Sequence, residues 1–551
     1  MELHERDAFK TRAFQTAAFN LDKSTANLTE LAVDELVKLP GVGKSVAQKI
    51  HDMARTGHLT DLDELLAETP AGVLDMFRIK GLGVKKVRTL WRELGIESLA
   101  DLREAGETGR IAAIKGFGVS TQDKILESLT FLEQQQGKLR MDRADELVGR
   151  LTELLNPLFA RVEVSGQVRR RAQEVDQVQL LLETADPVAA LTQLRAVPGL
   201  VIDERQSSPF IWRGRAEGVD VPVELRLYAP DQLDRQLFML SAAEPHLRQA
   251  GPDGTTLLQA AYTATDLTET AIYARAGLPY VVPEMREDDF AFRWASRHQP
   301  DELVSWADLR GTLHNHSTWS DGTQSVAEMA AYCRELGLTY FGIADHSKTA
   351  SYANGLSPER VLAQQAEIDA LNAGFGDSFR IFKGIESDIL GDGSLDYDDD
   401  LLATFDYVVA SVHQTLTMTS EKATARLIKA IENPYTTILG HPTGRLLLAR
   451  AGYPIDHKAV IDACAAHGVI LEINASPYRL DIDWRWIEYA MEQGVMLSIN
   501  PDAHSLHGLL DMHYGVAVGR KGGLTTAMTF NALSLPEMAA FLQQRRTSRV
   551  K

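Results

Sequence analysis

Leu313-His314-Asn315-His316-Ser317-Thr318-Trp319-Ser320-Asp321-Gly322 is a His-X-His followed five residues later by Asp. On a strand, side chains two apart share a face, so His314 and His316 can reach one ion while the next loop brings Asp321 alongside. Two neighbouring histidines often only cap a loop or sit hydrogen-bonded in a core, so the downstream sequence decides. Asp345-His346 follows the apolar run 340–344, Glu386 follows 379–385, His413 follows 407–412, and His441 follows 436–440. A further run covers 470–474, and 497–500 leads into Asp502-Ala503-His504. Helical-looking stretches separate the runs. Buried parallel strands read as short Val/Ile/Leu-rich runs, and parallel strands need helical crossovers. About seven runs lie between Leu313 and Asn500, near the number that closes a β/α barrel, whose post-strand loops converge on one face. Six histidines and three carboxylates should therefore share one pocket: His314, His316, Asp321, His346, Glu386, His413, His441, Asp502 and His504. A donor set without sulfur favours zinc, manganese or iron over magnesium alone. Ions close together lower the pKa of a water and neutralise phosphate oxygens, as phosphoester hydrolysis requires.

The motifs Leu-His-X-His, Asp-His-Ser, Gly-Ile-Glu, Ser-Val-His, Gly-His-Pro-Thr-Gly-Arg and Asp-Ala-His stand in an order that resembles the PHP (polymerase and histidinol phosphatase) family of metal-dependent phosphoesterases. The resemblance implies up to three divalent ions, manganese or zinc by the donor chemistry. It also implies a bridging role for Glu386, with Asp502 and His346 beside it at the chemistry. Lys348, Arg445 and Arg479 each follow a donor or strand run and are candidate substrate-phosphate contacts, since positions just past a strand end face the pocket.

Composition bounds the rest. The chain has 551 residues, 44% hydrophobic and 24% charged, room for three or four domains. Its net charge of −19 argues against a broad non-specific nucleic-acid surface, while leaving room for local basic or backbone-amide sites. The two cysteines, Cys333 and Cys464, lie far apart and read as buried thiols, which suits a reducing cytoplasm. Neither an export signal nor a membrane span is indicated.

Residues 1–135 read as all helix. Leu39-Pro40-Gly41-Val42-Gly43, Ile79-Lys80-Gly81-Leu82-Gly83 and Ile114-Lys115-Gly116-Phe117-Gly118 repeat one pattern, apolar-X-Gly-apolar-Gly, each opening a helical segment. Paired glycines let a turn tighten and let a phosphate approach the free N–H groups of the helix that follows. This is the helix-hairpin-helix pattern, which holds DNA backbone through main-chain donors and so reconciles DNA binding with an acidic chain. The stretch around the first copy resembles the small N-terminal domain of family X DNA polymerases. That resemblance matches Lys49 to a lysine that forms a Schiff base with an abasic sugar and Lys10 to a 5′-phosphate contact. Phe14 and Ser45 depart from the pattern, which puts lyase activity in doubt.

The middle of the chain is similar to the same family's palm and departs from it where chemistry is done. Gly-Ser-X-Arg-Arg-Gly followed by two aspartates one residue apart becomes Ser165-Gly166-Gln167-Val168-Arg169-Arg170-Arg171, with Gln177 and Gln179 at the aspartate positions. Glu224 stands at the third carboxylate. An amide cannot offset a magnesium charge as a carboxylate does, so the two-metal centre should be severely weakened. A register slipped by three residues would bring Glu174 and Asp176 into those positions, although a slip disturbs the core face.

The expected architecture is multidomain: an all-α helix-hairpin-helix region at 1–135, a degenerate α/β nucleotidyltransferase-like palm at 136–235, a thumb-like domain and linker at 236–297, and a PHP β/α barrel at 298–551. The expected activity is 3′→5′ exonucleolytic hydrolysis of DNA, at gapped, nicked or 3′-ended duplex, in repair. The alternatives are an active gap-filling polymerase carrying a PHP nuclease, and a small-molecule phosphatase resembling histidinol phosphatase.

Overall fold

The computed structural model describes residues 1–21, 28–79 and 81–548; Lys80 of the second glycine motif lies outside them. The chain forms two compact units, Met1–Gln136 and Gly137–Lys551.

The first unit is helical. Gly43 caps the helix Lys44–Thr56 and Gly83 caps Val84–Leu94, each glycine extended with its N–H groups at a helix start. Gly41 and Gly81 take positive φ values of 73° and 85°, the left-handed turn that glycine adopts without strain. The third copy differs. Gly116 and Gly118 both have positive φ, and Gly118 itself begins the helix Gly118–Gln135. Val87, Leu90, Leu102, Ile125 and Leu129 close the core beneath the second and third copies.

In the second unit, β1 (Leu139–Arg140) pairs with β3 (Glu174–Val175) as a short two-stranded antiparallel ribbon. The palm sheet is built from β2 (Val162–Ser165), β4 (Val178–Glu183), β5 (Leu200–Ile202), β6 (Ile211–Ala216) and β7 (Val223–Tyr228) in the order β2-β4-β7-β6-β5. Its own core gathers around the fully buried Trp212, whose truncation to alanine should cost about 3–5 kcal/mol. Glu174 sits on the ribbon rather than the palm sheet, and Gln179 pairs with Glu224 across parallel β4 and β7. The ungapped register therefore holds, and the slipped one does not occur.

The barrel follows: β8 (Gly311–Thr312), β9 (Tyr340–Ile343), β10 (Arg380–Asp388), β11 (Tyr407–Ser411), β12 (Ile438–Leu439), β13 (Ile470–Asn474) and β14 (Leu497–Asn500). All seven are parallel and lie in sequential order. Past the strand ends, Asn315 bridges Ala503 and the His316 N–H donates to the Ala503 carbonyl at 2.8 Å, bringing the first and last strands together. The interior is packed rather than open. A Cβ at Gly342 or Gly384 would fall 2.4 or 2.2 Å from atoms of Tyr407, so these glycines make space for that ring inside the barrel. Met538 and Leu542, on the C-terminal helix Leu535–Ser548, join the same interior cluster. The cluster outside the strands is continuous with thumb residues such as Phe238, Ile272 and Tyr273, so thumb and barrel share one core.

Candidate metal centre

The strand-end rule places the donors, with two adjustments. β8 ends at Thr312, so His314 and His316 lie just beyond it, flanking the bridging residue Asn315. Their alternation survives because the chain stays paired there. Glu386 lies within β10 rather than after it, and His346 bridges to it across the top of β9. His413, His441 and Asp502 each follow their strands by two residues. His441 and Asp502 hold positive φ values of 22° and 55°, conformations that side-chain-bearing residues keep only where surroundings fix them.

All nine expected donors converge. Four overlapping groups have ligand atoms within 4.8 Å of one another: His316, Asp321, His346 and His504; His314, His316 and Asp502; His314, Glu386 and His441; His346, Glu386 and His413. Glu386 is the hub. Its Oε1 lies 3.2 Å from His314 Nε2, 3.1 Å from His413 Nε2 and 2.9 Å from His441 Nε2, while Oε2 lies 2.9 Å from His346 Nδ1. Asp502 Oδ1 is 3.0 Å from His316 Nε2, and Asp321 Oδ1 is 3.4 Å from His504 Nε2.

The donor set fits divalent cations by a test internal to the protein. His314 Nε2, His316 Nδ1, His346 Nδ1, His441 Nδ1 and Glu386 Oε2 are buried without a hydrogen-bond partner, an arrangement that is expensive unless a cation fills it. Outer carboxylates fix the ring orientations. Glu472 Oε1 takes His314 Nδ1 at 2.7 Å and Asp388 Oδ1 takes His413 Nδ1 at 2.5 Å, leaving each Nε2 aimed inward. Glu472 also accepts from the His441 N–H at 2.8 Å.

The field in the cluster is mixed. Burial alone would lower the His413 imidazole, but Glu386 and Asp388 push it up to about 10. Burial likewise opposes protonation of His504, which Asp321 and Asp502 nonetheless raise to about 9. His316 goes the other way, to about 3, through burial and the neighbouring His504 and His346. The carboxyl of Glu386 is held well below its ordinary range, against burial, by His413, His314 and His346.

Of the three phosphate-contact candidates, Arg479 reaches the cluster, with Nε 3.3 Å from Asp502 Oδ2. Lys348 is exposed, its Nζ 5.6 Å from the Tyr397 ring. Arg445 turns away, donating through Nε to the Arg479 carbonyl at 2.8 Å, through one terminal nitrogen to Asp483 at 2.9 Å and through the other to the Leu480 carbonyl. Sequence reasoning missed Glu472, Asp388 and Tyr352. Glu472 is a charge inside an apolar strand run, and Asp388 lies two residues beyond Glu386 on the same strand face, so each shows a polar position in the sequence but not the histidine it holds. Tyr352, 66% exposed with its ring 6.1 Å from that of His346, carries no such signal.

The palm centre is closed by its own side chains. Glu224, 2% exposed, accepts from Arg213 Nε and Arg226 Nε, both at 2.6 Å, and from Gln179 Nε2 at 2.9 Å. Gln179 also donates to Gln177 at 2.9 Å. Its amide fills the space above Gly166, where a Cβ would fall 2.3 Å from Gln179 Oε1. The Arg169, Arg170 and Arg171 triplet is committed to Glu269, Glu287 and Asp145. In the first unit, Lys49 and Lys10 share the Asp61 carboxylate at 2.7 and 3.2 Å.

A parallel barrel with an imidazole and carboxylate cluster on its C-terminal face, in a chain that begins with glycine-capped helical hairpins, defines a PHP-type phosphoesterase barrel appended to a DNA-binding module. The comparisons agree: a helix-hairpin-helix domain matches residues 1–59, a SAM-like helix-hairpin-helix tandem matches 73–130, and a PHP domain matches 312–476. Over 557 aligned positions the chain is 35% identical to the DNA polymerase/3′-5′ exonuclease PolX of Bacillus subtilis, covering 99% of this chain and 97% of that one. The chain belongs to the PolX family of bacterial family X DNA polymerases. A shorter similarity extends to a probable phosphatase of Thermoanaerobacter, 28% identical over 40% of this chain and 88% of the relative. It also extends to a probable phosphatase of Shewanella oneidensis, 30% identical over 30% of this chain and 63% of the relative. Among the described residues no helix is long and apolar enough to cross a membrane.

Proposed function

We propose that this chain is a metal-dependent 3′→5′ exonuclease acting on gapped, nicked or 3′-ended DNA during repair in the cytoplasm, with template-directed synthesis weak or lost. The observation that carries the reading is the contrast in charge satisfaction: five buried atoms of the nine-donor cluster lack a hydrogen-bond partner, whereas Glu224 in the palm is matched by two arginines and an amide.

The nine donors would hold up to three ions, manganese or zinc, which when bound supply Lewis acidity toward phosphate oxygens and lower the pKa of a water. Glu386, shared by two donor groups, would tie neighbouring ions together. Glu472 and Asp388 hold His314 and His413 with their Nε2 atoms inward. Arg479, at the edge of Asp502, offers a guanidinium to a phosphate, and the glycine-capped helices Lys44–Thr56 and Val84–Leu94 offer N–H groups to DNA backbone.

Replacing His346 with alanine should reduce exonuclease turnover by more than about a hundredfold, since outer partners of metal ligands already contribute 10- to 100-fold. DNA affinity should survive. Equal turnover in wild type and variant would contradict the assignment. The probable-phosphatase relatives favour a second reading, a small-molecule phosphatase resembling histidinol phosphatase and using the same barrel chemistry. Faster turnover on histidinol phosphate than on oligonucleotides would select it.

A further inference from the structure

We propose that the palm-side ribbon positions Arg479 for the barrel's chemistry, with Gln173 and Arg140 acting as positioning residues through the loop 475–483. The inference rests on the phosphodiesterase reading above.

That loop leaves β13 and doubles back, the Asn474 N–H donating to the Asp481 carbonyl at 2.6 Å. It carries Arg479 to Asp502. Leu480, fully buried, has a positive φ of 44°, a backbone state that a leucine keeps only when outside contacts hold it. Those contacts come from two sides. From the barrel, Arg445 grips the carbonyls of Arg479 and Leu480. From the ribbon, buried Gln173 donates through Nε2 to the Leu480 carbonyl at 3.1 Å, and the Arg140 guanidinium lies 3.8 Å from the centre of the Tyr478 ring.

The ribbon is itself braced. The Met141 N–H donates to the Gln173 carbonyl at 3.2 Å, and Asp142 fixes the Arg140 guanidinium through two bonds of 3.1 and 2.8 Å. Tyr478, Arg479 and Leu480 are thus three consecutive residues, one under the ribbon's arginine, one on the metal-side carboxylate and one under the ribbon's amide. A palm that has lost its aspartates keeps a use here, because its ribbon completes the support of a barrel loop.

The test is a pair of coupling cycles in the full-length, manganese-loaded chain. Gln173→Glu keeps shape but turns an acceptor toward the Leu480 carbonyl. It should lower kcat/KM on a 3′-labelled oligonucleotide about 10- to 100-fold, the scale of an ångström-sized misplacement. It should also weaken binding of thymidine 5′-monophosphate, read by calorimetry. Both losses should disappear when Arg479→Ala is already present. Tyr478→Ala, at a position 54% exposed and so tolerant of truncation, should show the same pattern, with Tyr478→Phe restoring function because a ring remains under Arg140. Equal losses with and without Arg479, or none in either variant, would overturn the proposal. If the unmodified chain fails to cut DNA while mononucleotide binding still shows the coupling, the nuclease reading falls and this inference stands.

Discussion

The barrel and the palm each bury a glutamate on a strand, Glu386 and Glu224, and they resolve its charge in opposite ways. In the palm, Glu224 meets Arg213, Arg226 and Gln179, so its lone pairs are satisfied from within. In the barrel, Glu386 lies within 3.8 Å of five imidazoles, and one of its own oxygens together with four ring nitrogens is buried without a hydrogen-bond partner. A protein tolerates such unpaired buried groups where something else completes them. On the proposed reading, internal counter-ions leave the palm with no need of metals, and orphaned donors leave the barrel cluster able to take them.

The outer carboxylates of the barrel are where the contrast between the two sites has its larger expected effect. Asp388→Asn should slow exonuclease by about 10- to 100-fold through a loosened His413, with a matching fall in metal content by atomic emission. An unchanged rate would mean that the ring needs no outside hold.

A smaller effect is expected in the palm, on stability rather than activity. Glu224→Gln removes the charge that pairs Arg213 and Arg226, and should destabilise the fold by about 1–3 kcal/mol in chemical denaturation at pH 7. The Glu224 carboxyl titrates below its ordinary range because both arginines outweigh burial, which alone would raise it. A depressed folded pKa gives stability that is present above the unfolded value of about 4.3 and is lost as pH falls through the lower folded value. The gap between wild type and variant should therefore narrow in acid; a gap that widened would contradict the ion-pair account.

Least should happen when the missing aspartates are put back. Gln177→Asp with Gln179→Asp should leave primer extension near background, because Arg213 and Arg226 still occupy Glu224 and the new carboxylate at 179 faces it as a like charge. Robust extension by this variant would show that two residues alone separate the palm from activity.

The barrel was legible because its strands are buried on both faces and read as apolar runs, all but 470–474 leading to a donor. Its chemistry beyond the ligands was less so. Asp388 and Glu472 look like polar interruptions of strands until their histidine partners past other strands are seen. Arg445 sits where a phosphate contact would sit, yet an arginine past a strand end can lie along its loop as readily as enter the pocket, and here it does the former. The ribbon of β1 and β3 is two residues wide on each side, too short for alternation to show, so the hold of Gln173 on Leu480 could not be read from sequence. In the palm the opposite held, since the register pairing Gln179 with Glu224 follows the ungapped reading.

The division of labour is tested most directly by one labelled primer–template incubated with manganese, with and without nucleotides, so that shortening and lengthening are scored together. Shortening in both, with little lengthening when nucleotides are present, is the expected result. Lengthening that dominates over shortening, or DNA ends left intact by a fully metallated chain, would contradict it.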